Sequence, residues 1–335
     1  MSPSLSRSLG WAAFASLTLL PAFLPGYLLF QVSIALTYAI AILGLNLIMG
    51  FSGQISIAQG VFFAIGGYIV AILMTAHDLS FWAALPPAVV TATILGVVIG
   101  VPALRLQGLQ LAIVTLMLAA VVPPLILRLD KYTKGTAGIA MEQPEPPAWL
   151  PVSQDTYIYF ICLVGAGLTV LVMLQLVRGE TGRRLKAVRD NPLIAEAFGI
   201  NVARTKVAAF AVSAAFAGFA GGLFAMVNAF VSPDSFQLFK SFEFIAGAII
   251  GGITSIAGAF IGAVIVVFLP EWSANISLAM AGIVYGAVLV VMMLIAREGI
   301  VGLLRKGLAL ASVRASTGAS KDTARLSKKA SEMKA

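Results

Sequence analysis

SLGWAAFASLTLLPAFLPGYLLFQVSIALTYAIAILGLNLIMGFSGQISIAQGVFFAIGGYIVAILMTAH, the run from Ser8 to His77, is 70 consecutive residues without an aspartate, glutamate, lysine or arginine. A transmembrane helix needs about 20 largely apolar residues, so three spans fit in this run. An unpaired charge at the bilayer centre costs about 2.5–3.5 kcal/mol on insertion scales, and a stretch without one can lie in lipid for most of its length. The rest of the chain agrees. Of its 335 residues 60% are apolar and 11% charged, with a mean hydropathy of +0.99, which excludes a water-soluble globule, a disordered chain and a collagen-like one. Cys162 is the single cysteine, so no intramolecular disulfide can form.

Outward from that run, uncharged apolar segments occupy Gly10 to Phe30, Val32 to Gly50, Gly60 to Ala76, Phe81 to Leu104, Leu109 to Leu127, Thr156 to Val177, Val207 to Phe230, Phe244 to Leu269 and Ser277 to Ala296. The pattern predicts an all-α polytopic membrane protein of about eight to ten transmembrane helices. Arg7 ahead of the first segment has the look of a signal peptide. The run is too long for one and has no small-residue cleavage site, so it reads as a retained helix.

Charge sets the orientation. Of 22 Lys and Arg, seven lie between Arg178 and Lys206 and nine between Arg297 and Lys334, net +4 and +6. Both regions read as cytoplasmic, which makes residues 1–296 a transmembrane domain with a cytoplasmic loop at 178–206, followed by a basic cytoplasmic tail at 297–335. The segments assigned to the outside carry four basic and eight acidic residues. Positive charge follows topology here, so a solvated or lipid-headgroup face explains it and nucleic acid is not needed. The interior offers almost no ionisable groups, and any pumping energy then comes from another subunit.

Only three apolar segments separate the two cytoplasmic regions, yet an even number of crossings is required. One segment must break. Phe244 to Leu269 carries Gly247, Gly251, Gly252, Gly258 and Gly262 with Thr254 and Ser255 among them, and reads as two short helical pieces joined by irregular backbone. A second break, Gly50 to Gly60, holds Gly53, Gln54, Ser56 and Gln59 and no charge. Ser56-Ile57-Ala58 and Ser255-Ile256-Ala257 repeat one tripeptide across the two breaks. Paired interruptions of this kind mark substrate paths, because unwound backbone exposes N–H and C=O groups to a polar solute. Close helix packing through small residues is the other reading of the same glycines. The candidate path residues are Asn46, Gly53, Gln54, Ser56, Gln59, Gly60, Thr254, Ser255 and Gly258; Asn46 either lines a cavity or bonds a neighbouring helix. No residue cluster has metal-ligand spacing, no phosphate-binding loop appears, and no nucleophile has a base beside it, so catalysis, cofactor and metal are not expected.

The stretch Gly182 to Asn201 in the basic loop carries a helix signature of its own. Asn191 suits an N-cap, Pro192 the first helical position and Gly199 the position after the last turn. Leu193, Ile194, Ala197 and Phe198 then share one face of a short helix, apolar in a loop that water alone would keep polar. A groove on a partner would bury it; packing on the chain's own helix ends or in the headgroup layer would also do so.

At these residues the sequence resembles the membrane-spanning subunits of bacterial ABC importers for branched-chain amino acids, of the LivM permease type. Gly44 to Ser56 with Gly66-Gly67-Tyr68 looks like that family's early signature. Gly182 to Asn201, running on through Lys206 and Ser213 to Gly222, looks like its coupling region, and Ser232-Pro233-Asp234-Ser235-Phe236 with the Gly251-Gly252 break and Pro270-Glu271 completes the likeness. Two stretches depart from it: Lys134 to Ile139 follows only loosely the Thr-Gly-Gly expected in the large outer loop, and Thr254 stands where glycine is expected. The resemblance implies a permease subunit in a bacterial inner membrane, a LivH-like second permease, two cytoplasmic ATPase subunits that carry ATP and Mg, and a periplasmic solute-binding protein. It also implies that Gly182, Arg183, Asn191, Pro192, Leu193, Ile194, Glu196, Ala197, Phe198 and Gly199 dock on an ATPase. Similar permeases handle urea, amides or aromatic acids. An autonomous channel or secondary carrier for a small polar solute, and a scaffold that recruits a cytosolic protein, are the alternatives the residues leave open.

Overall fold

The computed structural model describes residues 17–106, 108–148 and 151–276 and the single positions 286, 287, 290, 299 and 302. Residues 1–16, with the start of the first apolar segment, most of the segment 277–296 and most of the basic tail lie outside the described residues.

The architecture is a helical bundle. Helix α1 (Gly26–Leu45) continues through a π-helical turn (Asn46–Phe51). It is followed by α2 (Gln59–Ala76), α3 (Phe81–Ala103), α4 (Leu109–Arg128) and α5 (Gln154–Arg178). Two helices of the basic loop come next, α6 (Glu180–Asp190) and α7 (Pro192–Ala197), then α8 (Val202–Asn228), α9 (Leu238–Gly251) and α10 (Ile256–Ile276). Six of these are long and apolar enough to cross a membrane: α1 with its π turn, α2, α3, α4, α5 and α8. A helix satisfies its own backbone hydrogen bonds, which lipid cannot do for it, and that is why the apolar segments take this form.

Burial sorts the bundle into a centre and a rim. α1 and α8 are 78% and 83% buried over their apolar windows, against 33%, 28% and 39% for α3, α4 and α5, whose outer faces are left for lipid. The centre closes through small residues. A Cβ on Gly66 of α2 would run into the Gly218 backbone of α8, and one on Gly221 into the Phe63 carbonyl, so the two helices touch backbone to backbone. At the end away from the basic loop, β1 (Ile139–Ala140) pairs antiparallel with β2 (Phe230–Val231), Ile139 facing Val231 and Ala140 facing Phe230.

One boundary differs from the hydropathy pattern. The sequence divides Gly10–Phe30 from Val32–Gly50 at Gln31, but the chain turns at Pro25 and α1 runs unbroken from Gly26 past Gln31. Proline has no N–H to continue a helix and disfavours the α conformation before it. Gln31 keeps its backbone N–H and is a good helix former, and its Nε2 donates to the Tyr27 hydroxyl one turn back, at 2.8 Å. The glycine-rich break in Phe244–Leu269 occurs as the pattern predicts, though its first piece starts earlier, at Leu238.

Candidate functional site

The first break follows directly from α1. Beyond the π turn, the Ser52 and Gln54 amides reach back to the Leu47 and Ile48 carbonyls at 3.1 and 3.0 Å, and residues 52–58 then run without regular structure to the start of α2. Buried N–H groups on such a segment need partners. Side-chain hydroxyls supply them: Ile57 N–H donates to Thr115 Oγ1 at 3.0 Å, Ala58 N–H to Ser56 Oγ at 3.3 Å, and Gly60 N–H to Ser241 Oγ at 3.1 Å. Gln54 Nε2 donates to Ser52 Oγ at 2.7 Å and to the Lys206 carbonyl at 3.3 Å.

Gln59 has a different place from the one expected of a path residue. Its Nε2 donates to the Ala41 and Ser213 carbonyls at 2.7 and 3.4 Å, and its Oε1 accepts from Ser213 Oγ at 3.0 Å. The side chain is buried, with donors and acceptor both engaged, and ties α1, α2 and α8 together. Gln59→Leu strands the Ser213 hydroxyl in the core and is expected to lower stability by about 2–4 kcal/mol, read as a drop in Tm of the detergent-solubilised protein.

The second break is a helical hairpin. Gly252 adopts φ +107°, Ser255 N–H closes the turn on the Gly252 carbonyl at 2.9 Å, and Gly258 N–H donates to Ser255 Oγ at 3.1 Å. A Cβ on Gly251 would strike the Gly258 carbonyl and one on Gly262 the Gly247 carbonyl, so α9 and α10 lie in backbone contact antiparallel to each other. With 14 residues α9 is about 21 Å long, too short for a hydrocarbon layer of about 30 Å.

The two breaks meet. Asn46 Nδ2 donates to the Ser255 carbonyl at 3.1 Å, and Gly50 sits so close to Ile253 that a Cβ on it would overlap the Ile253 carbonyl. Asn46 Oδ1 is buried without a hydrogen-bond partner among the described residues. Of the nine candidate path residues, Asn46 and Ser255 touch, Thr254 is exposed beside them, and Gly53 and Gln54 lie against the basic loop. Ser56 caps Ala58, while Gly60 and Gly258 are packing positions.

The basic loop is fastened to the first break. Arg189 Nη1 donates to the Gly50 carbonyl at 2.8 Å, its side chain lies where a Cβ on Gly53 would be, and Asp190 pairs with it at 3.0 Å. A cavity of about 180 Å³ lies between Ser52, Gln54, Leu106, Arg189 and Lys206. From Arg189 the chain passes straight into α7. Asn191 Oδ1 accepts from the Leu193 and Ile194 amides at 3.0 and 3.2 Å, and Gly199 takes φ +78° after the last turn. Ala195 is buried, but Leu193, Ile194 and Phe198 are 79%, 55% and 82% exposed, and Ala197 and Glu196 are exposed with them. Gly182 is buried where α6 meets the end of α5, and Arg183 is exposed.

The start of α9 carries an ion pair. Lys240 and Glu243, which the charge count assigns to the outside, stand on α9, and Lys240 Nζ donates to Glu243 Oε2 at 2.9 Å and to the Tyr38 hydroxyl at 2.7 Å. Tyr38 lies halfway along the 26-residue helix from Gly26 to Phe51, itself about 39 Å long. The available sequence signal is the spacing: Lys240 and Glu243 are i, i+3 and in helical register with the glycine-rich run that follows.

Apolar spans interrupted by two broken segments that meet inside the bundle define a multi-pass membrane protein built as a transport permease. The chain belongs to the family described as "Branched-chain amino acid transport system / permease component", which it matches over residues 27–293. It is similar to the high-affinity branched-chain amino acid transport system permease protein LivM of Salmonella typhimurium (strain LT2), 33% identical over 84% of this chain and 72% of that one. LivM of Escherichia coli (strain K12) is 32% identical over 83% of this chain and 71% of its own. LivH of Salmonella typhimurium is 25% identical over 81% of this chain and 93% of its own. No solved structure matches the chain.

Proposed function

We propose that this chain is a membrane-spanning permease subunit of an ABC importer, forming the translocation path for branched-chain or related amino acids, with ATP hydrolysed on separate subunits. The observation that carries the reading is α7, a capped helix with three large apolar side chains exposed, joined through Arg189 to the Gly50 carbonyl of a broken span. An exposed apolar face on a basic loop fits a groove on a soluble partner. The names of the relatives supply the cargo class and suggest a LivH-like second permease.

In this reading the basic loop and tail are cytoplasmic by their positive charge, and the membrane is a bacterial inner membrane. The face of α7 seats in one of two ATPase subunits, which hold ATP and Mg, and a periplasmic solute-binding protein delivers the solute. No cofactor sits on this chain. Closure of the ATPases moves α7, Arg189 carries the movement to Gly50, and the path beside Asn46, Gly53, Gln54, Thr254 and Ser255 opens or shuts. Gln59, Gly60 and Gly258 hold the helices that frame it.

Extraction of the tagged chain in mild detergent is expected to recover a second permease and ATP hydrolysis stimulated by a loaded binding protein. Recovery of the chain alone, with solute flux in proteoliposomes lacking ATP, would replace this reading with an autonomous carrier. Arg189→Met is expected to leave the complex assembled and still hydrolysing ATP. Solute moved per ATP falls by about tenfold, the worth of a charge-assisted hydrogen bond. An unchanged ratio would remove Arg189 from the coupling.

A further inference from the structure

We propose that Lys240 and Glu243, with Tyr38, form an intramembrane binding site for the head group of a zwitterionic α-amino acid, the Lys240 ammonium taking the solute's carboxylate and the Glu243 carboxylate its ammonium. The proposal rests on the amino-acid importer reading above and names a site within it. Charges inside membrane spans are costly and face a protein interior or a wet pathway, where they mark the route of ions and substrates. Here the two charges cancel, and the pair sits level with the middle of the Gly26–Phe51 helix, held from below by Tyr38, whose ring centroid is 5.2 Å from Lys240 Nζ.

The pair is reachable. The Lys240 and Glu243 side chains keep 18% and 25% of their surface, so they are partnered without being sealed in the core. Neighbouring positions complete the site. At 100° per residue the face of α9 reads Phe242, Phe239, Glu243, Lys240, an apolar edge beside a charged one, and Phe239 and Phe242 are 74% and 42% exposed. A solute with a charged head and a branched aliphatic side chain presents the same two chemistries side by side.

The chemistry also selects. A zwitterion inserted between Lys240 and Glu243 exchanges one ion pair for two and adds no net charge. A solute carrying only a carboxylate or only an amine leaves one of the two protein charges without its partner, an expensive outcome in a dry site. An uncharged solute such as urea must compete with an ion pair that is already made.

The test uses the assembled importer in proteoliposomes with its binding protein and ATP, and leucine as the probe. Lys240→Gln and Glu243→Gln are each expected to cut leucine uptake by at least about tenfold while ATP hydrolysis stimulated by the loaded binding protein persists, since the change falls on the path and not on the docking helix. Because either variant could also fail to insert, Phe239→Cys is made in the otherwise native chain, whose one cysteine, Cys162, is buried. A small polar thiol reagent is expected to modify it during turnover, with leucine slowing the reaction and neither 4-methylpentanoate nor 3-methylbutylamine doing so. Wild-type leucine uptake in both Gln variants, or a Phe239→Cys thiol that leucine does not protect, overturns the site and leaves the importer reading standing. A wild-type complex that moves other solutes but no amino acid overturns both.

Discussion

Phe198→Asp is expected to reduce uptake to below about 1% of wild type while the chain still inserts, folds and reaches wild-type abundance in the membrane. The two halves of that result come from one number. Phe198 is 82% exposed in this chain, so replacing it removes no contact that the fold relies on, and exposed substitutions of this kind stay within about 0.5 kcal/mol. On a partner the ledger reverses. Burying a phenylalanine is worth about 1.5–3 kcal/mol, and an unpaired carboxylate forced into an apolar groove costs at least as much again. Together these weaken docking by about a hundredfold or more, which removes the mechanical link between ATP hydrolysis and the path. Uptake of labelled leucine, set against membrane abundance by immunoblot, reads both halves. Wild-type uptake in this variant would mean that α7 packs elsewhere, in the headgroup layer or on nothing.

That the sequence shows α7 so clearly, and the partners of Lys240 and Glu243 not at all, has a physical cause. Asn191, Pro192 and Gly199 act on backbone within three residues of themselves, so capping chemistry is visible in a single line of sequence. The two breaks were legible for a similar reason: glycine doublets and serines inside apolar runs mark where helix stops. Their meeting was not. Asn46 reaches Ser255 across 209 residues, Gln59 reaches Ser213 across 154, and Lys240 reaches Tyr38 across 202. No local pattern contains such distances. The topology rule treats charge as a mark of the aqueous phase and assigns Lys240 and Glu243 to the outside. It says nothing of how the two charges pair one turn apart, or of the tyrosine from another helix that completes the set. Pro25 outranked Gln31 as a boundary on the same principle: a residue that cannot donate a backbone hydrogen bond ends a helix, whereas a polar one that finds a neighbour does not.

Gly50→Val is expected to destabilise the protein by about 3–5 kcal/mol and to abolish uptake by whatever fraction still folds. A Cβ at Gly50 would overlap the Ile253 carbonyl, which is backbone at the turn of the α9–α10 hairpin and cannot rotate aside as a side chain would. The hairpin must retreat, or the π turn must. Either movement stretches the 3.1 Å bond from Asn46 to the Ser255 carbonyl, and movement of the π turn also shifts the Gly50 carbonyl away from Arg189. Overpacking costs about 1–3 kcal/mol and each lost hydrogen bond about 1 kcal/mol, which gives the expected range. The neighbouring Thr254→Ala is the control, because Thr254 is exposed and its loss should stay within about 0.5 kcal/mol. A thermal melt of both variants in detergent separates them. If Gly50→Val melts with the wild type and transports normally, the two breaks are not in contact in the working transporter, and movement of α7 has no route from the first break to the second. If it melts early and transports nothing while Thr254→Ala melts with the wild type, backbone contact between the breaks is what joins the docking helix to the path.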